Sequence, residues 1–134
     1  MRWAALVAAC AALVAGCGYE APDLFAVTRS GADRNANVTL VVSDGGNVKC
    51  NGKQHEIDAK LLLRARELAR ELGKQAELGL ELPPGPGSTL RYRARLESGH
   101  VAFSDRSARQ PTDFFRLAQF TKDVSEDVCG IRRD

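Results

Sequence analysis

The sequence predicts an α+β fold, a two-layer antiparallel sheet with two helices on one face. Apolar residues alternate with polar ones over residues 38–43 and 90–96, the pattern of half-buried strands. They recur at steps of three and four over residues 57–76 and 114–128, as in amphipathic helices. The resulting order of strand, strand, short strand, helix, hairpin and helix favours an antiparallel sheet, because no helix links consecutive strands within either half.

The first half contains three predicted strands. Residues 24–29 are rich in β-branched and aromatic side chains, and residues 38–43 alternate clearly. The glycine-rich turn at residues 44–47 should reverse the chain into a short third strand, residues 48–50, at the edge of the sheet. Its alternation directs Cys50 toward the core and Lys49 away from it.

The first helix follows, with Asp58 as its expected N-cap. Leu61, Leu68 and Leu72 should dominate its packing, since burying one leucine contributes about 1.5–3 kcal/mol. Gly73 either ends this helix or is tolerated at a cost of about 1 kcal/mol. The proline-rich residues 83–87 then form an extended connector that excludes both helix and central strand.

The second half begins with the hairpin of residues 90–96 and 101–104 and continues into a helix. Pro111 suits the start of that helix, with Thr112 or Asp113 as its cap, and Cys129 falls in its last turn. The large side chains expected in the core are those of Phe25, Tyr92, Phe103, Phe114, Phe115 and Phe120.

The N-terminal stretch has the features of an export signal. Arg2 precedes an uncharged apolar run of about a dozen residues, whereas a membrane-spanning helix needs about 20. The run ends in Leu-Val-Ala-Gly-Cys at residues 13–17, which resembles the lipobox of bacterial lipoproteins. The alternative is an ordinary secretory signal cut near Ala15.

The lipobox resemblance implies that Cys17 is lipidated with acyl chains such as palmitate and becomes the new N-terminus. Residues 1–16 would then be a lipoprotein signal peptide, residues 17–22 a lipidated tether, and residues 23–134 a single α+β domain. The implied location is the extracytoplasmic face of the cell membrane, as part of the cell envelope.

The cysteines agree with export. Of four cysteines, Cys10 lies in the signal and Cys17 would carry lipid, which leaves Cys50 and Cys129. An even pair in an exported domain predicts a disulfide bond.

Composition and motifs argue against several functions. The chain has 19 basic and 17 acidic residues, a balance that does not favour nucleic-acid binding. His55 and His100, expected in a loop and at a hairpin turn, have no cysteine or histidine at metal-ligand spacing, so no metal site is predicted. No catalytic or cofactor motif is visible, which predicts a non-enzymatic protein without a cofactor.

We therefore expect a lipid-anchored binding module of unknown partner, or else a structural or stress-related envelope protein. The element order and residues 90–103 also resemble emfourin-type inhibitors of thermolysin-family metallopeptidases, which implies peptidase inhibition as another alternative. Those proteins lack the signal and the cysteine pair of this chain, so no residue role is carried over.

Three arginines form the candidate partner-binding surface. Arg91, Arg93 and Arg95 alternate with the core residues of the hairpin and should form a row on the sheet face away from the helices. Either they are ordinary solvated side chains paired with acidic cross-strand neighbours, or they contact an anionic envelope protein or lipid surface.

Lipidation is tested by replacing Cys17. Cys17→Ala should leave the precursor uncut or release the protein from the membrane, because the acyl chains attach to the Cys17 sulfur. The readout is detergent-phase partitioning with intact-mass analysis, and Cys10→Ala is the matched control that should be processed normally. A Cys17→Ala protein that is still cut and still partitions into detergent would contradict the lipoprotein hypothesis.

Overall fold

The computed structural model describes residues 21–133. The lipobox-like motif, Cys17 and the first part of the expected tether lie outside the described residues.

The domain contains one six-stranded antiparallel sheet with the spatial order β4-β3-β2-β1-β5-β6. Its strands are β1 Asp23–Gly31, β2 Val38–Ser43, β3 Asn47–Cys50, β4 Lys53–Glu56, β5 Leu90–Leu96 and β6 Gly99–Ser104. Two helices, α1 Ala59–Glu77 and α2 Thr112–Asp123, pack on one face of this sheet. The predicted α+β class is confirmed.

The predicted sheet edge was wrong, because β3 pairs with a fourth strand. Asn51 and Gly52 have φ angles of 49° and 88°, so they form a tight hairpin turn rather than ending the strand. The side-chain oxygen of Asn51 accepts a hydrogen bond from Thr39 N at 2.8 Å, which ties this turn to β2. His55, expected in a loop, lies in β4, and His100 lies within β6.

The starts of the two helices test the predicted N-caps. The Asp58 carboxylate accepts a hydrogen bond from Leu61 N at 2.8 Å, which confirms the predicted N-cap. The helix continues through Gly73, where an added Cβ would meet no atom within 4 Å. Helix α2 differs from the prediction, because Pro111 is its N-cap and neither Thr112 nor Asp113 supplies a capping side chain.

The core lies between the helices and one face of the sheet. Phe103 stacks on Phe114 of α2 with ring centroids 4.5 Å apart, and Phe25 meets Phe120 edge-on at 5.7 Å. Phe115 was wrongly predicted to be a core residue: its neighbour Phe114 faces the sheet, and 56% of Phe115 is exposed. Leu61, expected to dominate α1 packing, is only partly buried.

The C-terminal end departs from α-helical geometry. A π-helical turn, Val124–Val128, follows α2, and Gly130 then adopts a positive φ of 70°. Cys129, at the end of this turn, forms a disulfide bond with Cys50 of β3, with Cα atoms 5.9 Å apart. The predicted disulfide is therefore present, and it links the last helical segment to the opposite half of the sheet.

Removing the disulfide should lower stability while preserving the fold. Because the bond closes a loop of 79 residues, Cys50→Ser with Cys129→Ser should lower the unfolding free energy by about 4 kcal/mol. Urea titration of the double variant measures this, and the reduced wild-type domain should match it. Two alkylatable thiols in the native, air-exposed protein would contradict the assignment.

Candidate sheet-face binding site

The sheet face away from the helices, here called the open face, has a floor of small side chains. Residues on this face come from the alternate positions of each strand, because core residues occupy the others. The central floor consists of Ala26, Thr28, Thr39 and Val41. The three predicted arginines lie along one side of this floor, as the alternation of β5 predicted.

Arg91 is held by the protein itself. Its Nη1 donates hydrogen bonds to Leu82 O at 2.6 Å and to Ser104 Oγ at 3.3 Å, and the residue is partly buried. These contacts join β5 and β6 to residues 78–89, the whole segment between α1 and β5, here called the connector. Arg91 therefore has a structural contact in the folded domain.

Arg93 pairs with an acidic residue that lies outside the strands of the sheet. Its Nη1 lies 3.2 Å from Oε1 of Glu81, and His100 Nε2 lies 3.2 Å from the same oxygen. Glu81 is supplied by the connector, which forms an isolated parallel bridge to Ala102 at the β6 edge. Glu81 thus partly neutralises the charge of Arg93. Exposed ion pairs of this kind contribute about 0–1 kcal/mol to stability.

Arg95 is exposed, and among residues 21–133 it forms no ion pair. Its row across the sheet continues through Ala26 and Val41 to Lys49 of β3, also exposed and without an ion pair in this part of the chain. Three strand spacings separate the two cationic residues, about 14 Å between backbones. Two long cationic side chains therefore flank a low floor.

Two shallow grooves follow this arrangement. One, of about 540 Å³, runs from Thr39 and Val41 to Arg93, Arg95 and the β5–β6 turn. The other, of about 310 Å³, runs from Val41 toward Lys49 and the start of β1. Because both are lined by Val41, they form one trough across the open face. The alternation of residues 48–50 predicted that Lys49 faces away from the core. It could not predict that Lys49 lies in the same row across the sheet as Arg95, because that depends on the strand register.

No group of three His, Cys, Asp or Glu residues within 21–133 is arranged to hold a metal ion. None of the helices described is long and apolar enough to cross a membrane.

Comparisons with protein-family models, curated proteins and solved structures find no match to this chain.

Proposed function

We propose that this protein is a lipid-anchored, non-catalytic binding module on the extracytoplasmic face of the cell membrane. Its open face binds an acidic segment of a partner protein. The observation that carries this proposal is the trough between Arg95 and Lys49, two exposed cations without ion pairs among the described residues. Arginine binds carboxylates through its planar guanidinium group. The small side chain of Ala26 leaves room between the two cations for an extended peptide.

The charge pattern favours a protein segment over a lipid surface. Binding to anionic lipid gains about 1 kcal/mol for each basic residue near the surface and needs a cluster of them. Here Glu81 pairs with Arg93, and Glu97 lines the same groove as Arg95. Such interspersed signs suit a partner with acidic residues at defined positions.

The proposed anchor also brings the trough close to membrane-bound partners. The six-residue tether, residues 17–22, places Asp23 at most about 20 Å from Cys17 when it is fully extended. Ala26, beside Arg95, is three residues into β1 and therefore about 10 Å from the end of the tether. Confinement to one surface raises the effective concentration of a partner in that surface.

The test is binding of a labelled ten-residue acidic peptide to the soluble domain, residues 18–134, followed by fluorescence anisotropy. Arg95→Gln with Lys49→Gln should weaken binding at least tenfold at low salt, because both flanking charges are lost. The control is the double variant Lys60→Gln with Arg70→Gln, at two exposed positions on α1. It lowers the net charge by the same amount as the first double variant and should leave the affinity unchanged. Glu81→Gln should strengthen binding by freeing Arg93.

Two outcomes would contradict the proposal. Equal loss in both double variants would mean that only net charge matters. Salt-sensitive binding to phosphatidylglycerol vesicles, without binding to the peptide, would assign the open face to lipid instead.

A further inference from the structure

A second cleft, of about 580 Å³, lies on the helix side of the sheet, beneath α2. This volume falls within the range of roughly 300–1,000 Å³ that is typical of small-molecule sites. Its lining combines the cationic side chains of Arg29 and Arg133 with the aromatic side chains of Tyr92 and Phe115, and it also includes the carboxylates of Asp105 and Glu126.

Arg29, at the base of this cleft, is a buried cation. Only 2% of it is exposed, and its Nε and Nη2 donate hydrogen bonds to the carbonyl oxygens of Ala36 and Asn35 at 2.8 and 3.1 Å. Within residues 21–133 it forms no ion pair, although Tyr92 and Glu126 lie near enough to raise its pKa against the effect of burial. Burial lowers the pKa of Arg29, which reflects the cost of desolvating its charge.

Two further groups converge on the same place. Arg133 donates through Nη2 to Asp33 at 2.7 Å, while its Nε is buried without a hydrogen-bond partner. A buried donor left without a hydrogen-bond partner is unfavourable, so an acceptor placed there would be favourable. Burial raises the pKa of Tyr92, opposed by the positive charge of the neighbouring Arg29, so the tyrosine keeps its proton as a donor.

The carboxylates in the cleft are already engaged. Asp105 accepts hydrogen bonds from the backbone N–H groups of Thr89 and Leu90 and from the Thr89 hydroxyl. Burial would raise the pKa of Asp105, but these hydrogen bonds outweigh it and hold the pKa below its usual value. Glu126 lies 4.0 Å from Arg132. The buried Nε of Arg133 thus remains available for an added anion, beside a guanidinium, Arg29, whose nearest acidic neighbour Glu126 forms no ion pair with it.

The cleft also has an apolar wall. Tyr92 and Phe103 stack with ring centroids 5.0 Å apart, and the exposed ring of Phe115 lies with Ala118 along the same cleft. We propose that this cleft binds a small organic carboxylate with an aryl or alkyl body, whose anionic head contacts Arg29, Arg133 and the Tyr92 hydroxyl. The apolar wall contacts the body of the ligand. This site is separate from the open face and does not depend on its function.

The carboxylate has two possible sources, a free molecule or Asp134, which follows Arg133 in the chain and lies outside the described residues. Benzoate is the probe, with benzamide as its neutral counterpart of the same shape, and both are titrated into the soluble domain with amide chemical shifts as the readout. Benzoate should bind at least tenfold more tightly than benzamide. It should shift amides around Arg29 and Tyr92.

Variants separate recognition from folding. Arg133→Gln should weaken benzoate binding about tenfold or more, because one charge-assisted contact is lost. Tyr92→Phe should weaken it about threefold while leaving the melting temperature within a few degrees. Arg29→Lys is informative only where circular dichroism shows a native fold, because Arg29 also holds the chain at Asn35 and Ala36. Arg70→Gln is the matched control.

Different results test where the carboxylate comes from and whether the cleft binds one at all. A several-fold gain in benzoate affinity in Asp134→Asn would identify Asp134 as a competing internal carboxylate, and no change would favour a free ligand. Benzamide binding as tightly as benzoate, no detectable binding of either compound, or Arg133→Gln behaving like Arg70→Gln would overturn the proposal.

Discussion

The packing of both helices against one face of the sheet is the constraint on which the rest of the structure depends. The ring contacts of Phe103 with Phe114 and of Phe25 with Phe120 fix α2 on that face, while Leu68 and Leu72 bury α1 there. Because strand side chains alternate, a residue that does not face the helices must face the other side of the sheet. The open face is therefore left to small and polar residues as a direct consequence of where the core lies.

A second constraint acts at the C-terminal end, where the chain must reach β3 from α2. The wider π-helical turn carries Cys129 to Cys50, and the chain then returns toward the loop between β1 and β2. There Asn35 Nδ2 donates to Arg132 O at 2.8 Å, and Arg133 pairs with Asp33. The same covalent link that joins helix to sheet thus brings Arg133 close to the buried guanidinium of Arg29. π-Helical turns occur frequently beside functional sites.

Much of the fold could be predicted from the sequence, because periodicity and local capping report directly on burial. The alternation of β5, the N-cap Asp58 and the paired cysteines all depend on local pattern or on composition. Strand β4 was missed because Lys-Gln-His-Glu contains no apolar residue, and its pairing depends on the Asn51–Gly52 turn. Glu81 was missed because its contact with Arg93 depends on a connector crossing the β6 edge, which no local pattern reveals.

The buried position of Arg29 could have been inferred from strand parity, since it follows Phe25 and Val27 at the same alternate positions. This parity also separates the two proposed sites. Strand β1 places Ala26 on the open face, near the tether, and Arg29 on the opposite face, about 20 Å from Asp23 along the strand. The trough is thus close to the proposed membrane anchor, where a partner protein in the same membrane can reach it. The cleft opens near the other end of β1. A dissolved carboxylate can enter it there without passing the surface that the proposed partner protein would occupy.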